Sequence, residues 1–408
     1  MDMVCEKRAG VEHDFEKDGL DLIIRDGRLT ANGTTLGGDN GVAVALMLMV
    51  LDDDEIEHPP VECVFTTEEE VGLNGAKALD KSVLKARTMI NMDSEDEGVA
   101  TVSCAGGLRV QFTKEIKRTT VQGSLLTLKV EGLLGGHSGQ DIDKERQNAD
   151  LLMARMIQRL LKETKGQLVS FNGGTKDNAI PRECEASLIY ESDEEAAKAE
   201  ELACELAETY AEELTPAEPD FSCEISCETN RTAEAIPQDA AKEFICAMRL
   251  APNGIQKRNI KMDGFVVVSL NLGVVRTEED RIVMIFSPRS SVASLQEDTK
   301  ERLNTLAETF GFTVSHSSEY PGWSFKEDSS VREICKESYK ELFGEDLKIE
   351  AIHAGLECGL FSDAIKGLDA IAIGPTIANC HTPDEYLTLD SFERFYEFLK
   401  DILSRLAK

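Results

Sequence analysis

Residues 34–40, TTLGGDN, constrain this chain more than any other stretch, because they set one acid, Asp39, at the head of the apolar run GVAVALMLMVL over residues 41–51. A run of that length and character predicts a buried helix. Gly37 and Gly38 let the backbone turn sharply just before it. Taken alone, Asp39 reads as the N-cap of a core helix, a position where aspartate is favoured. Its meaning depends on what else the chain brings to the same place.

Ahead of Asp39, LDLIIRDGRLT (residues 20–30) is an apolar run, then Asp26-Gly27, then Arg28-Leu29-Thr30. An Asp-Gly pair between such runs is a strong hairpin signal. After the apolar helix, VECVFTT (residues 61–67) has the β-branched and aromatic content of a central strand, and it ends in Glu68, Glu69 and Glu70. A helix over residues 74–84 precedes a strand at TMINM (residues 88–92), which ends in Asp93. Two strands ending in acids within an alternating helix pattern predict an α/β sheet with ligands at its carboxyl edge.

From Gly106 the pattern changes to alternating strands, LRVQFTKEI and SLLTLKVEGL, then a helix over residues 146–164, the turn-rich FNGGTKDNAIPRE, a strand over 186–190 and an acidic helix over 194–214. Two further strands, VVVSLNLGVVRTEED and RIVMIFSPRSS, pair about a turn, and a helix over 293–310 follows. The α/β pattern then returns: a helix over 331–342, the strand KIEAIH, the stretch HAGLECGLF, the strand LDAIAIG, the loop PTIANCHTPDE and a final helix over 390–406. The chain therefore divides into an α/β domain of residues 1–105 plus 321–408, interrupted by an α+β insert of residues 106–320.

Composition narrows the function. With Lys+Arg 44 against Asp+Glu 76 the net charge is −32, which repels phosphate backbones and anionic lipid, so neither nucleic acid nor membrane is an expected partner. No apolar segment reaches the roughly 20 residues of a membrane span, and the N-terminal stretch has no signal-peptide core. The eleven cysteines are scattered without a Cys-x-x-Cys pair, which points to a reducing, cytoplasmic compartment.

Asp39, Glu69, Glu70, Asp93 and His381 all fall at strand ends or helix starts, where an open α/β sheet builds its site. Taken one at a time, a Glu-Glu-Glu run reads as a solvated loop and a histidine in a Pro-rich turn reads as surface. Four carboxylates converging without a cation would repel, and a pair of divalent metals removes that conflict. Three carboxylates and an imidazole suit zinc, manganese or cobalt, with one Asp serving both ions. One glutamate of an adjacent pair can then bind metal while its neighbour acts as general base.

The strings GTTLGGDNG, TTEEEVGLNGA, NMDSEDEG, EGLLGGHSGQDI, FNGGTKDNAIPRE, HAGLECGLF and IGPTIANCHTPDE resemble those of the aminoacyl-histidine dipeptidases, the carnosine-cleaving branch of the co-catalytic zinc peptidases. The resemblance runs from Met1 to the C-terminus. It implies a zinc-peptidase-like catalytic domain with an inserted lid and dimerisation domain, two divalent ions, and hydrolysis of short peptides with free termini, Xaa-His dipeptides among them. By it, Asp39 bridges the ions, Glu70 and His381 complete one site, Asp93 belongs to the other, and Glu69 is the general base. Asp2 matches the aspartate that orients the first metal-binding histidine in the family's His-x-Asp motif. In the insert, His137 resembles the histidine that stabilises the oxyanion, Arg289 the arginine that clamps the substrate carboxylate with Asn178 helping, and Glu357 a reader of the free amine. His353 and Cys358 read as structural. The implied partners are a small peptide substrate and a second copy through the lid.

One departure stands out: the histidine of the His-x-Asp motif would stand one residue before Met1, which leaves one metal site short of a ligand and predicts an uncovered sheet edge or apolar face. A start placed at an internal methionine, or a fragment or degenerate paralogue, would account for it. His13, the nearest substitute, sits in an acidic segment. The competing functions are a catalytically impaired paralogue serving as a dimeric binding protein, and a hydrolase of N-acyl amino acids.

Overall fold

The computed structural model describes residues 2–260 and 264–408; Met1, where the matched stretch begins, and residues 261–263 lie outside the described residues. Contacts divide the chain into two units, Met1–Cys104 with Pro321–Lys408, and Ala105–Tyr320.

The first unit holds two small sheets. In one, the strands Leu22–Arg25, Arg28–Ala31, Tyr386–Thr388 and Ile377–Ala378 lie side by side, each pair antiparallel. The hairpin turn is Asp26-Gly27, with φ of 51° and 72°, the left-handed pair that a two-residue hairpin demands. This sheet places residues 32–39, just after the hairpin, beside the loop between Ile377–Ala378 and Tyr386–Thr388. The second sheet runs Lys348–Ile352, Val99–Cys104, Asp369–Ala372, Thr88–Asn91, with parallel outer pairs and one antiparallel contact between them. Under it Ala76, Cys104, Trp323, Cys358, Phe361 and Ile371 are buried, which places Cys358 in the core as read. His353 is buried as well.

Three local expectations are corrected here. Residues 61–67 form no strand: β-branched content makes a segment fit for a sheet, but a strand exists only where a neighbour completes its ladder. Residues 61–66 instead line a groove of about 450 Å³ together with Thr88–Asn91, Ala43, Met47, Val50, Leu399 and Leu403, and Thr88–Asn91 is an edge strand with Asp369–Ala372 on its other side. The helix expected over 74–84 is two pieces, Asn74–Ala78 and a single 3-10 turn Lys81–Val83, because the Asp80 carboxylate accepts the Ser82 N–H and starts a new turn. The helix Gly38–Asp52 is apolar from Val42 to Leu51 but only half buried: Leu46 is inside while Leu48 and Leu51 are each 56% exposed. An apolar helix with an open face is unusual for a water-soluble fold.

Among the described residues the second unit is built on a nine-stranded antiparallel sheet in the order Ser222–Ala235, Thr119–Glu131, Cys184–Tyr190, Gln167–Gly173, Phe265–Thr277, Arg281–Ser290, Gly106–Glu115, Thr313–Tyr320, with Gly254–Asn259 also on Phe265–Thr277. Along Thr119–Glu131 burial alternates through Ser124, Leu126, Leu128 and Val130, the period-2 pattern of a sheet with one covered face. Helices Ala149–Glu163, Asp193–Leu214, Gln238–Leu250 and Ala293–Thr309 pack on it through a core that includes Phe112, Phe171, Phe244 and Phe286. Both long edges carry register shifts, between Glu228 and Arg231 and between Ser317 and Tyr320, and bulged edges resist adding further strands.

Candidate metal centre and active site

The N-cap reading of Asp39 is corrected by its backbone. Asp39 has φ −84° and ψ 104°, outside helical space, and it is Asn40 whose Oδ1 accepts the Ala43 N–H at 3.1 Å. The Asp39 carboxylate is thereby released from capping. It lies 3.2 Å from His381 Nε2, which is 3.3 Å from Glu70 Oε1. His381 sits in the loop between Ile377–Ala378 and Tyr386–Thr388 with φ 63°, a left-handed conformation that costs a non-glycine residue about 1 kcal/mol. The three side chains offer ligand atoms that all lie within 4.8 Å of one another, a carboxylate–carboxylate–imidazole set fit for one divalent ion.

The surrounding acids carry the electrostatic signature of such a site. Burial, then Asp39 and Glu69, raise the Asp93 carboxyl well above the usual carboxylate range, and Asp93 hydrogen-bonds Asp39. Burial, Glu70 and Asp39 push Glu69 up to about 7. Glu70 is raised by burial and Asp39 although His381 opposes the shift. For His381 burial works downward, yet Glu70 and Asp39 outweigh it and the imidazole is raised. Carboxylates crowded to this degree hold protons or a cation, and a metal relieves the repulsion that a proton otherwise must.

Asp2 accepts the N–H of Glu69 at 3.0 Å and of Glu70 at 3.2 Å. Burial opposes its charge, but those amides hold its carboxyl below the usual range. It therefore fixes the two tandem glutamates. Glu357 accepts the Thr66 hydroxyl at 2.9 Å and is raised by burial. The groove that runs past residues 61–66 is also lined by Asp2, Asp39, Glu69, Glu70, Asp93 and Glu357.

Two features of this site escape a sequence reading. Cys380 and Glu95 lie with Asp39 in a second close group, the thiol hydrogen-bonded to Glu95 and raised by burial and that carboxylate. Glu385 accepts backbone N–H bonds from the loop that carries Asp39. In the string HTPDEY a buried clamp and a solvated turn acid look alike, and only the 2% exposure of Glu385 separates them. His13, weighed as a substitute ligand, stacks edge-on to Phe15 and belongs to neither metal-competent group found among the described residues.

In the second unit His137, Asn178 and Arg289 come together. His137 pairs with Ala179 across a short ladder, and the Asn178 carbonyl accepts the Ser138 N–H at 2.9 Å. His137 Nδ1 accepts the N–H groups of Gly139 at 3.2 Å and Gln140 at 3.0 Å, which assigns the ring proton to Nε2. Burial and the nearby Arg289 lower its pKa. The ring is thus a neutral Nε2–H donor. Arg289 is buried and donates to the Tyr320 hydroxyl at 2.9 Å, while its Nε has no hydrogen-bond partner among the described residues. Tyr320 is the member of this group that sequence alone did not single out.

Comparison with known proteins agrees over the whole chain. The model of peptidase family M20/M25/M40 matches residues 1–405. The cytosol non-specific dipeptidase of Escherichia coli is 34% identical over 412 residues, covering 100% of this chain and 84% of the relative. The aminoacylhistidine dipeptidase of Vibrio alginolyticus superposes with a TM-score of 0.94 at 35% identity, over 99% of this chain and 82% of that one. The aminopeptidase PepT of Bacillus cereus shares the fold at a TM-score of 0.50 and 16% identity, over 96% of this chain and 77% of that one. A match that spans the chain, on a fold whose acids and imidazole converge as they do here, makes this protein a member of peptidase family M20/M25/M40.

Proposed function

We propose that this chain is a cytoplasmic, metal-dependent dipeptidase that hydrolyses short peptides with free termini, Xaa-His dipeptides among them. The observation that carries the reading is the Asp39–Glu70–His381 set beside Glu69, a buried carboxyl that burial and its acidic neighbours push up to about 7. Asp39, Glu70 and His381 would hold one ion, and Asp39 with Asp93 would supply donors for a second. Zinc suits the set, and manganese or cobalt share its chemistry. A divalent metal there supplies a Lewis acid and lowers the pKa of a water.

The chain's own residues do the rest. Glu69 takes the proton of the attacking water and passes it to the leaving amine. Asp2 holds Glu69 and Glu70 in place through their amides. His137 offers its Nε2–H to the developing oxyanion, Arg289 with Asn178 binds the substrate carboxylate, and Glu357 reads the free amine. The second unit is assigned as lid and homodimer contact, and among the described residues no helix is long and apolar enough to cross a membrane.

The test is a substrate panel on the zinc-loaded protein, with manganese in parallel: Xaa-His and other dipeptides, tripeptides, and N-acyl amino acids. Dipeptide cleavage that disappears on chelation and returns with metal supports the reading. No dipeptide cleavage under either metal, or a preference for N-acyl amino acids, overturns it.

A further inference from the structure

We propose that Glu385 is the positioning residue of the metal centre, the group that sets where Asp39 stands relative to His381. The inference rests on the metal-dependent reading above. Its basis is four hydrogen bonds to one carboxylate: Oε2 accepts the N–H of Leu36 at 2.8 Å and of Gly37 at 3.0 Å, and Oε1 accepts the N–H of Gly38 at 2.7 Å and of Asp39 at 3.3 Å. A carboxylate has about four acceptor directions, so this one is saturated by consecutive amides of a single loop.

The burial of Glu385, at 2% exposure, says how strongly the arrangement is held. An ionised carboxylate leaves water only where charge-assisted bonds replace its hydration, and here four consecutive loop amides, ahead of the regular turns of the helix Gly38–Asp52, converge on one carboxylate as a nest. The glycines make the approach possible. Gly37 has φ 67°, and a Cβ on Gly38 would lie 3.1 Å from Glu385 Oε1 and 3.3 Å from Ile377 Cγ2. The pair read from sequence as a turn device is the wall of an anion nest, and the anion is the protein's own.

The other end of the clamp is short. Glu385 stands four residues after His381 in the same loop, which is braced internally: the Thr382 hydroxyl donates to the Asn379 carbonyl at 2.8 Å, and the Glu385 N–H donates to the Thr382 carbonyl at 3.1 Å. One side chain therefore ties the loop carrying Asp39 to the loop carrying His381. No side chain of the metal set needs to touch Glu385 for the two ligands to depend on it.

The test is zinc affinity of the whole protein, read by competition with a chromophoric chelator, together with the visible absorption of the cobalt-substituted form. Glu385→Gln replaces one acceptor oxygen with an NH2 facing N–H donors. Its zinc dissociation constant is expected to rise about 10–100-fold, with a changed cobalt spectrum and with kcat lowered more than KM. Glu385→Asp keeps the charge and retracts it by one methylene; it gives a smaller shift in the same direction and serves if the Gln variant does not fold. Wild-type zinc affinity and an unchanged cobalt spectrum in either folded variant, whatever its melting temperature, would overturn the proposal. Affinity does not depend on which peptide is cleaved, so a failed substrate panel on the parent protein leaves this result separately readable.

Discussion

His381 Nε2 stands 3.2 Å from Asp39 Oδ2 across 342 residues of sequence. With Glu70 Oε1 3.3 Å from the same nitrogen, the three side chains form a donor set that fits one divalent ion. After zinc reconstitution and desalting, the protein is expected to retain at least one ion per chain by elemental analysis. His381→Ala is expected to release it. Close to two ions would mean that the Asp39–Asp93 position is completed, and a parent protein that retains none would return the chain to the impaired, binding-protein reading.

Glu69 separates chemistry from binding. Glu69→Gln keeps the size of the side chain and its backbone bond to Asp2 but cannot accept a proton. Turnover is expected to fall about 100- to 10,000-fold while zinc content stays at the parent level. Both are measured on one preparation, and parent-like turnover would remove Glu69 from the mechanism.

Asp150 gives the second unit a dependence on pH. It is fully buried beside Cys184 and Arg276, and its carboxylate comes so near Gly173 that a Cβ there would lie 1.6 Å from Oδ1. Burial pushes its pKa up to about 8 from an ordinary 3.8, against the lowering by the Cys184 thiol and Arg276. A raised carboxyl means that the folded state binds the proton more tightly, so the stabilisation is complete below about pH 4 and is lost as pH rises through about 8. Asp150→Asn holds the neutral form at every pH. Relative to the parent it is expected to gain stability from about pH 5 to about pH 9, by roughly 4 kcal/mol at the upper end, measured by chemical unfolding at stepped pH. A constant offset between the two proteins would contradict this account.

The helix Gly38–Asp52 makes a contrast within one element. Leu46 is fully buried, and Leu46→Ala is expected to cost about 2–5 kcal/mol. Leu48 and Leu51 are each 56% exposed, so Leu48→Lys with Leu51→Glu is expected to change stability by no more than about 1 kcal/mol and to raise solubility. Denaturant midpoints of the variants check both halves. A large loss in the double variant would mean that this face is covered in solution.

Much of the architecture is legible in the residues because it rests on local rules. Asp26-Gly27 specifies its own turn, the alternation of Leu126, Leu128 and Val130 specifies a covered face, and Asp93 follows the short apolar strand Thr88–Asn91 at the carboxyl edge of its sheet. What was not legible depends on partners. Residues 61–67 have strand composition without a neighbouring strand, and nothing in VECVFTT reports that. The long strand Ser222–Ala235 has Cys223, Ile225 and Cys227 as its alternating apolar residues, amid charged ones, and reads as polar. In the site the same division holds: Asp39, Glu69, Glu70, Asp93 and His381 stand in recognisable motifs, whereas Glu385 and Tyr320 join their clusters through long-range hydrogen bonds that no spacing announces.

The bond from Leu36 to Glu385 bridges 349 residues, and the unit containing it is split by Ala105–Tyr320, which has its own core. During synthesis domains tend to fold as units from the N-terminal side. The inserted unit can be complete while the loop bearing Asp39 has met neither its clamp nor His381, both near the end of the chain. A ribosome-bound chain accordingly holds scattered carboxylates and no assembled centre. The Asp39–Glu70–His381 set therefore assembles only once residues 381–385 have joined the loop of Asp39, so its formation reports completion of the split unit rather than of the inserted one.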